Sequence, residues 1–316
     1  MRIALLDDYQ DVALKMAAWE RLPADCEVVA FRDHLVDGDA LIERLQAFDV
    51  IMAMRERTPL TRQLLQQLPR LQLIVTAGMR NASIDMDAAR AQSIVVCGTA
   101  GLPYPTAELT IGLMLAWARS IMIEDRALRD GRFQTTLGRG LNGKTLGIIG
   151  LGTLGSRVAR IASAFEMQVL AWSQNLTDER AQAAGATRVE KDELLKQSDY
   201  VTLHVVLSDR TRRLIGAREL ALMKSSACLV NTSRSAIVDE AALVKALHDG
   251  TIGGAALDVY PIEPLPLDHP IRSAPNTVLT PHLGYVTEET YRVFYSHALE
   301  DIEAFLQGRP VRVLNG

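Results

Sequence analysis

Short apolar runs alternate with amphipathic stretches along the N-terminal part of the chain. Runs of strand length lie at Ile3–Leu6, Glu27–Phe31, Val50–Met54, Leu71–Thr76 and Ile94–Cys97. Helical patterns, such as those of Asp39–Phe48 and Leu60–Leu68, separate them. Strands that alternate with helices indicate parallel βαβ units in an open sheet.

The same alternation returns in the C-terminal part. The run from Leu146 to Ile149 predicts a buried strand, and further strands are predicted at Gln168–Trp172, Tyr200–His204, Ala227–Asn231, Gly254–Leu257 and Val278–Thr280. Helical patterns such as Asp239–Leu247 lie between them. The pattern therefore predicts an α/β protein with two doubly wound parallel-sheet domains.

Between the two sets, Gly98–Pro105 is rich in helix breakers and predicts a crossover between domains. A long apolar helix is predicted from Thr106 to about Leu128, and Gly131–Asn142 then reads as a glycine-bearing loop. The last helix is predicted over Glu288–Gln307.

The second set of strands opens with a glycine motif, Gly150-Leu-Gly152-Thr-Leu-Gly155. A G-x-G-x-x-G between a strand and a helix is typical of dinucleotide binding. Gly150 permits the tight turn, Gly152 leaves room for a pyrophosphate, and Gly155 lets helix and strand pack closely. The helix, which begins near Thr153 and Leu154, would direct free N–H groups at the phosphates. A tight turn without a ligand is the alternative.

The predicted helix after this motif places Leu154, Val158, Ile161, Ala162 and Phe165 on one apolar face. The next strand ends at Ser173, where a carboxylate would select NAD and a nearby Arg would select NADP. Ser173 can hydrogen-bond a ribose hydroxyl without repelling a phosphate. We favour NAD because no clear positive charge lies nearby in the sequence to compensate the extra phosphate of NADP. Arg180 is the one candidate for such a charge and leaves NADP as an alternative.

Composition narrows the function classes. Of the 316 residues, 48% are hydrophobic and 23% charged, with a net charge of −4, which is ordinary for a globular protein and gives no support to nucleic-acid binding. Three scattered cysteines predict neither a disulfide framework nor a metal site. The N-terminus reads as a strand, and no apolar helix approaches membrane-spanning length. We therefore expect a cytoplasmic protein without membrane or nucleic-acid partners.

Ionisable residues follow three strands of the second domain. Arg234 follows one strand, Asp258 and Glu263 the next, and His282 the last. Each alone has a structural alternative as a turn, loop or strand-capping residue. Together at the carboxyl ends of strands in a dinucleotide-binding sheet, they predict carbonyl reduction by hydride.

The first domain carries two polar clusters at predicted strand ends. One contains Arg55 and Arg57, and the other contains Gly78 and Arg80. The arginines would suit an anionic substrate or would be solvated loop residues. Gly78 indicates a sharp bend or a close approach to a ligand.

These motifs together resemble the D-isomer-specific 2-hydroxyacid dehydrogenases, the group of phosphoglycerate dehydrogenases and hydroxypyruvate reductases. The resemblance covers nearly the whole chain. It is carried by Gly143–Ile148 with the glycine motif, Asn231-Thr-Ser-Arg234, Asp258-Val-Tyr260 with Glu263-Pro264, and Thr280-Pro-His-Leu-Gly284. Arg55 with Thr58, Gly78 with Asn81, and Ala107-Glu108 match more weakly.

The resemblance implies a role for each catalytic residue. Arg234 would bind the substrate carboxylate and carbonyl oxygen through its planar fork of donors. His282 would protonate the carbonyl oxygen, for which an unperturbed imidazole pKa of about 6.5 is suitable. Glu263 would orient the imidazole and favour its charged form.

The resemblance also implies the remaining contacts and the architecture. Arg55 and the N–H groups of Gly78 and Met79 would complete the carboxylate site, Asp258 would contact the nicotinamide, and Thr232 would line the cofactor cleft. A flavodoxin-like substrate domain, residues 1–99 with 285–316, would contain an inserted Rossmann NAD(P)-binding domain, residues 100–284. The family is usually dimeric, so a homodimer is expected.

Four departures concern substrate and cofactor. The loop Gly78–Asp85 is longer than the usual family loop, Val206 replaces a common Pro, Tyr285 replaces a small residue, and Ser173 replaces an Asp. None removes a catalytic group. A dinucleotide-sensing protein of corepressor type is the alternative, although no partner-docking segment is found. Formate oxidation would not need the His–carboxylate pair.

Overall fold

The computed structural model describes residues 1–316, which form two compact units. The first unit combines Met1–Leu102 with Thr287–Gly316, and the second is the continuous stretch Pro103–Val286. Each unit contains one fully parallel sheet with helices.

The first unit has five strands in the order β2-β1-β3-β4-β5. They are β1 (Arg2–Leu5), β2 (Glu27–Ala30), β3 (Val50–Ala53), β4 (Leu73–Thr76) and β5 (Val95–Gly98). Three helices lie between them, α1 (Gly38–Leu45), α2 (Arg62–Gln66) and α3 (Met86–Ala91). The predicted five strands are confirmed to within a residue or two at each end.

The second unit has seven strands in the order β12-β11-β10-β9-β6-β7-β8. They are β6 (Thr145–Ile149), β7 (Gln168–Trp172), β8 (Thr187–Arg188), β9 (Tyr200–Leu203), β10 (Cys228–Asn231), β11 (Gly254–Leu257) and β12 (Thr277–Leu279). The helices are α4 (Pro105–Ala118), α5 (Ile121–Arg129), α6 (Thr153–Ala164), α7 (Asp178–Ala183), α8 (Lys191–Gln197), α9 (Ala217–Leu222) and α10 (Glu240–His248).

The order of the second sheet reverses between β6 and β9, and the glycine motif follows β6. Ligands of open parallel sheets bind outside the carboxyl ends of the strands at such a reversal. The last helix, α11 (Glu288–Leu306), returns to the first unit and contacts β4 there. Its buried side chains include Phe294 and Tyr295.

The prediction of one continuous helix from Thr106 to about Leu128 is wrong. The chain forms α4 and α5 with a bend of 60° between them, and Ser120 takes the left-handed conformation at φ +50°. Neither Gly nor Pro marks this break. No single helix meets both the length and the composition of a membrane span; only this bent pair does so jointly.

Helix α6 buries the middle of its predicted apolar face, whereas Leu154 and Phe165 at the two ends of that face are more exposed. Val158 and Ala162 are fully buried, as expected, together with Ala159. Phe165 follows the last helical residue, Ala164, and is 37% exposed. Strand β8, with two exposed residues at the sheet edge, was not predicted.

Candidate active site

The turn after β6 requires glycine at two of its three motif positions. Gly150 has φ +103°, and a side-chain carbon there would lie 2.6 Å from the His204 carbonyl carbon. A side-chain carbon on Gly155 would collide with the Gly150 carbonyl oxygen. The sequence interpretation of a tight turn and of close packing between strand and helix therefore holds at these two positions.

Gly152 has no atom within 4 Å of the position that a side-chain carbon would take. It caps α6 without a side-chain hydrogen bond, and the first bond of this 12-residue helix runs from the Ser156 N–H to the Gly152 carbonyl. The N–H groups of Thr153 and Leu154 have no acceptor within the protein. Open space at an uncapped helix N-terminus fits the pyrophosphate of a dinucleotide.

Strands β10, β11 and β12 are adjacent, parallel and in register, with Asn231 beside Leu257 and Leu257 beside Leu279. Because their carboxyl ends share one edge of the sheet, the residues that follow them are brought together there. These residues include Arg234, Asp258 and His282. The predicted convergence of ionisable groups at strand ends is thus seen within the second unit.

His282 and Glu263 form a hydrogen-bonded pair at this edge. His282 Nδ1 donates to Glu263 Oε2 over 2.6 Å, and the other carboxylate oxygen accepts the Tyr260 N–H at 2.9 Å. The two side chains are 16% and 25% exposed. Since Nδ1 is occupied, His282 Nε2, which has no partner within the protein, is the nitrogen that can exchange a proton with a ligand.

Asp258 connects β11 to the loop that carries His282. Its Oδ1 accepts from Thr280 Oγ1 at 2.6 Å and from the Leu283 N–H at 2.7 Å, while Oδ2 accepts the Gly284 N–H at 2.9 Å. Burial raises the pKa of this carboxyl, although these hydrogen bonds and His282 oppose the rise. The side chain thus holds the His282 loop. Its expected contact with the nicotinamide stays a prediction.

Arg234 lies on a turn that Asn231 fixes. Asn231 Nδ2 donates to the Arg234 carbonyl at 3.0 Å, and its Oδ1 accepts the Ser233 N–H at 3.0 Å. Arg234 Nη1 donates to the Ser233 carbonyl at 2.8 Å. Thr232 is buried, with its hydroxyl 2.9 Å from that of Thr110. The turn therefore presents the guanidinium from a rigid backbone.

A second histidine near the glycine turn is held neutral. Burial lowers the pKa of His204 to about 4, and its Nε2 lies 3.0 Å from Thr202 Oγ1. Near neutral pH this imidazole is uncharged. Of these two histidines, His282 is therefore the one suited to acid–base chemistry.

In the first unit, Arg55 and Gly78 lie close together. Arg55 Nη1 donates to the Ala77 carbonyl at 3.1 Å, and a side-chain carbon on Gly78 would collide with this guanidinium. The Gly78 N–H already donates to Thr99 Oγ1 at 2.9 Å. Of the two N–H groups predicted to bind substrate, that of Met79 is the one without a partner in the protein.

Sequence reasoning missed the residues that hold the site. The Tyr260 N–H and the Thr280 hydroxyl fix Glu263 and Asp258, respectively. Thr280 immediately precedes the Pro-His pair, so a hydroxyl beside a candidate acid–base residue was an available signal. A backbone N–H carries no sequence signal at all.

Comparison with known proteins identifies the second unit. A family model described as "D-isomer specific 2-hydroxyacid dehydrogenase, NAD binding domain" matches residues 111–284. The chain is 43% identical over 263 residues to a glyoxylate reductase of Aeropyrum pernix, a match that covers 80% of this chain and 78% of that protein.

Two further relatives cover nearly all of this chain. It is 38% identical to a D-3-phosphoglycerate dehydrogenase of Methanocaldococcus jannaschii, over 85% of this chain and 52% of that protein. The crystal structure of a phosphoglycerate oxidoreductase from Vibrio cholerae matches with a TM-score of 0.93 and 36% identity, covering 98% of this chain and 99% of that one.

Proposed function

Because this chain belongs to the D-isomer-specific 2-hydroxyacid dehydrogenases, we propose that His282 is its acid–base residue, supported by Glu263, and that Arg234 binds the substrate. The chain is an NAD(P)-dependent oxidoreductase that transfers a hydride between NAD(P)H and a small 2-keto acid. The observation that carries the residue assignment is the 2.6 Å bond between His282 Nδ1 and Glu263 Oε2. It leaves the other imidazole nitrogen for the substrate.

Arg234 is proposed to bind the substrate. Its guanidinium has several N–H donors in a fixed plane, which suits the adjacent carboxylate and carbonyl oxygens of a 2-keto acid. Arg55 and the Met79 N–H are proposed as substrate-binding groups of the first unit, where the Gly78 N–H is held by Thr99.

The proton is supplied at His282 Nε2. When bound, the reduced dinucleotide supplies the hydride to the carbonyl carbon, and negative charge develops on the carbonyl oxygen. His282 Nε2 donates its proton to that oxygen, and the Glu263 carboxylate stabilises the imidazolium beforehand through Nδ1. In the oxidative direction the neutral imidazole takes the proton back.

The two units are proposed to divide these tasks. The dinucleotide domain is residues 100–284, where Gly150, Gly152, Thr153, Leu154 and Gly155 would hold the phosphates and Ser173, Thr232 and Asp258 would line the cofactor site. Residues 1–99 with 285–316 would bind substrate. We propose a homodimer, as the family resemblance implies, and a cytoplasmic location, as expected from the sequence.

The test is reduction of a panel of keto acids with NADH and NADPH in parallel. The panel is glyoxylate, hydroxypyruvate, pyruvate, phenylpyruvate, 2-ketobutyrate and phosphohydroxypyruvate. Oxidation of a reduced nicotinamide by one of them is expected, and His282→Ala should lower kcat by about a hundredfold or more. Dissociation constants of the dinucleotides should change by less than about twofold.

A His282→Ala protein with undiminished turnover would contradict the assignment of the acid–base residue. Absence of turnover on the whole panel, together with tight dinucleotide binding and a reproducible protein partner, would instead favour the sensor alternative. Arg234→Lys keeps the positive charge but loses the planar set of N–H donors. It should therefore raise the KM for the keto acid by a larger factor than the dissociation constant of the dinucleotide.

A further inference from the structure

A cavity of about 500 Å³ lies at the carboxyl end of β7 in the second unit. Gly152 of the glycine turn and Ser173 both line it, so it adjoins the proposed pyrophosphate position. In open nucleotide-binding sheets, the residue after this strand faces the adenine-bearing ribose. The cavity is therefore placed to receive that ribose and any group on its 2′ position.

The charge of this cavity is entirely positive. Arg180 and Arg210 are the two ionisable residues that line it, and no carboxylate does so. Neither guanidinium has an ion pair or a hydrogen bond within the protein. Arginines nearby are paired: Arg188 lies 3.6 Å from Asp178, and Arg218 binds Asp192. Both side chains are exposed to solvent, and together they give the cavity a positive charge that would attract an anionic group of a ligand.

The surroundings hold both arginines in ordered backbone. Arg180 lies in the first turn of α7, where its N–H donates to the Thr177 hydroxyl at 3.3 Å. Arg210 lies in a turn that the Thr211 side chain stabilises. The Thr211 hydroxyl accepts a hydrogen bond from the Ser208 N–H at 2.8 Å and donates one to the Val206 carbonyl at 2.7 Å. Neither arginine is on a free chain end.

Ser173 completes the cavity without adding charge. Its Oγ accepts the Leu151 N–H at 3.0 Å, which fixes the hydroxyl against the glycine turn. A carboxylate in this place would accept a hydrogen bond from a ribose 2′-hydroxyl and repel a 2′-phosphate. Ser173 does not repel a phosphate, and its hydroxyl can still donate to one.

We propose that this cavity binds the 2′-phosphate of NADP(H), with Arg180 and Arg210 as the residues that select it over NAD(H). The inference rests on the proposed dinucleotide function and names the cofactor that the same site prefers. A dianionic phosphate compensates both guanidiniums and accepts charge-assisted hydrogen bonds from them, whereas a 2′-hydroxyl leaves both positive charges uncompensated. The sequence alone favours NAD; Arg210, distant along the chain, changes that balance.

Binding of cofactor fragments tests the proposal directly on the full-length protein. Isothermal titration with 2′,5′-ADP and with ADP compares ligands that differ in the 2′-phosphate and lack nicotinamide. We expect tighter binding of 2′,5′-ADP by about tenfold or more, and loss of about tenfold on Arg180→Gln or Arg210→Gln. ADP binding should change by less than about twofold. Added salt should weaken 2′,5′-ADP binding more steeply than ADP binding.

Arg160→Gln is the matched control. Arg160 is exposed on α6, does not line the cavity, and has no ion pair, so its variant loses the same charge in the same unit. It should leave the ratio of the two dissociation constants unchanged. Ser173→Asp should reverse the preference towards ADP and NADH, because its carboxylate repels the phosphate and accepts from the 2′-hydroxyl.

Equal or tighter binding of ADP by the unmodified protein would overturn the proposal, as would arginine variants that weaken both fragments equally. These outcomes are distinct from failure of the proposed function. If NADH binds more tightly than NADPH and still reduces a keto acid, the cofactor preference is wrong and the reaction stands. If 2′,5′-ADP binds as expected but no keto acid is reduced, the preference stands and the reaction fails.

Discussion

The carboxylate of Glu263 acts on His282 through a hydrogen bond and through its charge, and these two effects can be separated. Glu263→Gln keeps an acceptor for Nδ1 but removes the negative charge that stabilises the imidazolium. Reduction needs the protonated imidazole and oxidation needs the neutral one. We therefore expect the reductive kcat to fall by about tenfold to a hundredfold. Oxidation should lose less, as initial rates in both directions will show.

A second histidine–glutamate pair supplies the control for this variant. His269 Nε2 lies 3.0 Å from Glu240 Oε1 in the same unit, and neither residue belongs to the proposed catalytic, substrate or cofactor site. Glu240→Gln should leave the rates in both directions unchanged. An equal Glu263→Gln loss in reduction and in oxidation would mean that orientation alone, without charge, explains the role of Glu263.

At the scale of the element, two glycines of the turn between β6 and α6 allow effects on stability and on dinucleotide binding to be measured separately. Gly150→Ala forces a side chain onto φ +103° and into the His204 backbone, so we expect a loss of about 2–4 kcal/mol in the free energy of unfolding. Gly152→Ala meets no atom and should fold normally, yet it should weaken dinucleotide binding by about tenfold, since the added carbon takes phosphate space. Urea unfolding and titration calorimetry measure the two effects.

Gly140→Ala controls for replacement of a glycine as such. Gly140 lies in the loop before β6, with open space around the position of the added carbon. Its variant should change neither the unfolding midpoint nor dinucleotide affinity by more than experimental error. Unchanged dinucleotide affinity in Gly152→Ala would contradict the proposed position of the pyrophosphate at this turn.

Elements with a strong periodic pattern could be predicted, and those defined by tertiary contacts could not. The strands before the glycine motif and before Arg234 are continuous apolar runs, because both faces of a parallel sheet are covered. The break at Ser120 has no Gly or Pro signal, since the chain turns there through a left-handed serine. Strand β8 is too short and too exposed to carry a pattern.

For the molecule as a whole, the proposed division of labour between the units predicts where each ligand slows amide exchange. The N–H groups of Thr153 and Leu154 have no acceptor within the protein and should exchange quickly until a dinucleotide accepts from them. Oxalate resembles a 2-keto acid and cannot be reduced. Adding it to the dinucleotide complex should slow exchange at Met79 as well, as hydrogen–deuterium exchange resolved by fragmentation will show.

The amide of Gly78 is an internal control for that experiment. It donates to Thr99 in the absence of ligand, so its exchange should already be slow and should change little. Protection at Thr153 and Leu154 by oxalate alone, or at Met79 by the dinucleotide alone, would contradict the proposed division between the units.

Across the whole site, the sequence identified charged groups and missed what fixes them. Arg234, Glu263 and His282 could be named because each follows an apolar strand at the carboxyl edge of one sheet. The Tyr260 N–H that orients Glu263 is a backbone group, which any residue provides. Arg210 could not be related to Ser173, because only the fold places the loop after β9 and the end of β7 on one cavity, with β6 between the two strands.

The first unit is assembled from two stretches of chain with the whole of Pro103–Val286 between them. Translation therefore makes β1–β5 before the second unit and α11 after it, so β1–β5 wait for the helix that contacts β4 until the whole second unit has been made. Until α11 leaves the ribosome, the apolar surface that Phe294 and Tyr295 help to bury is uncovered. The second unit, in contrast, is made without interruption. The order of synthesis thus leaves the nascent first unit dependent on a helix that is made after the whole of the nucleotide-binding unit.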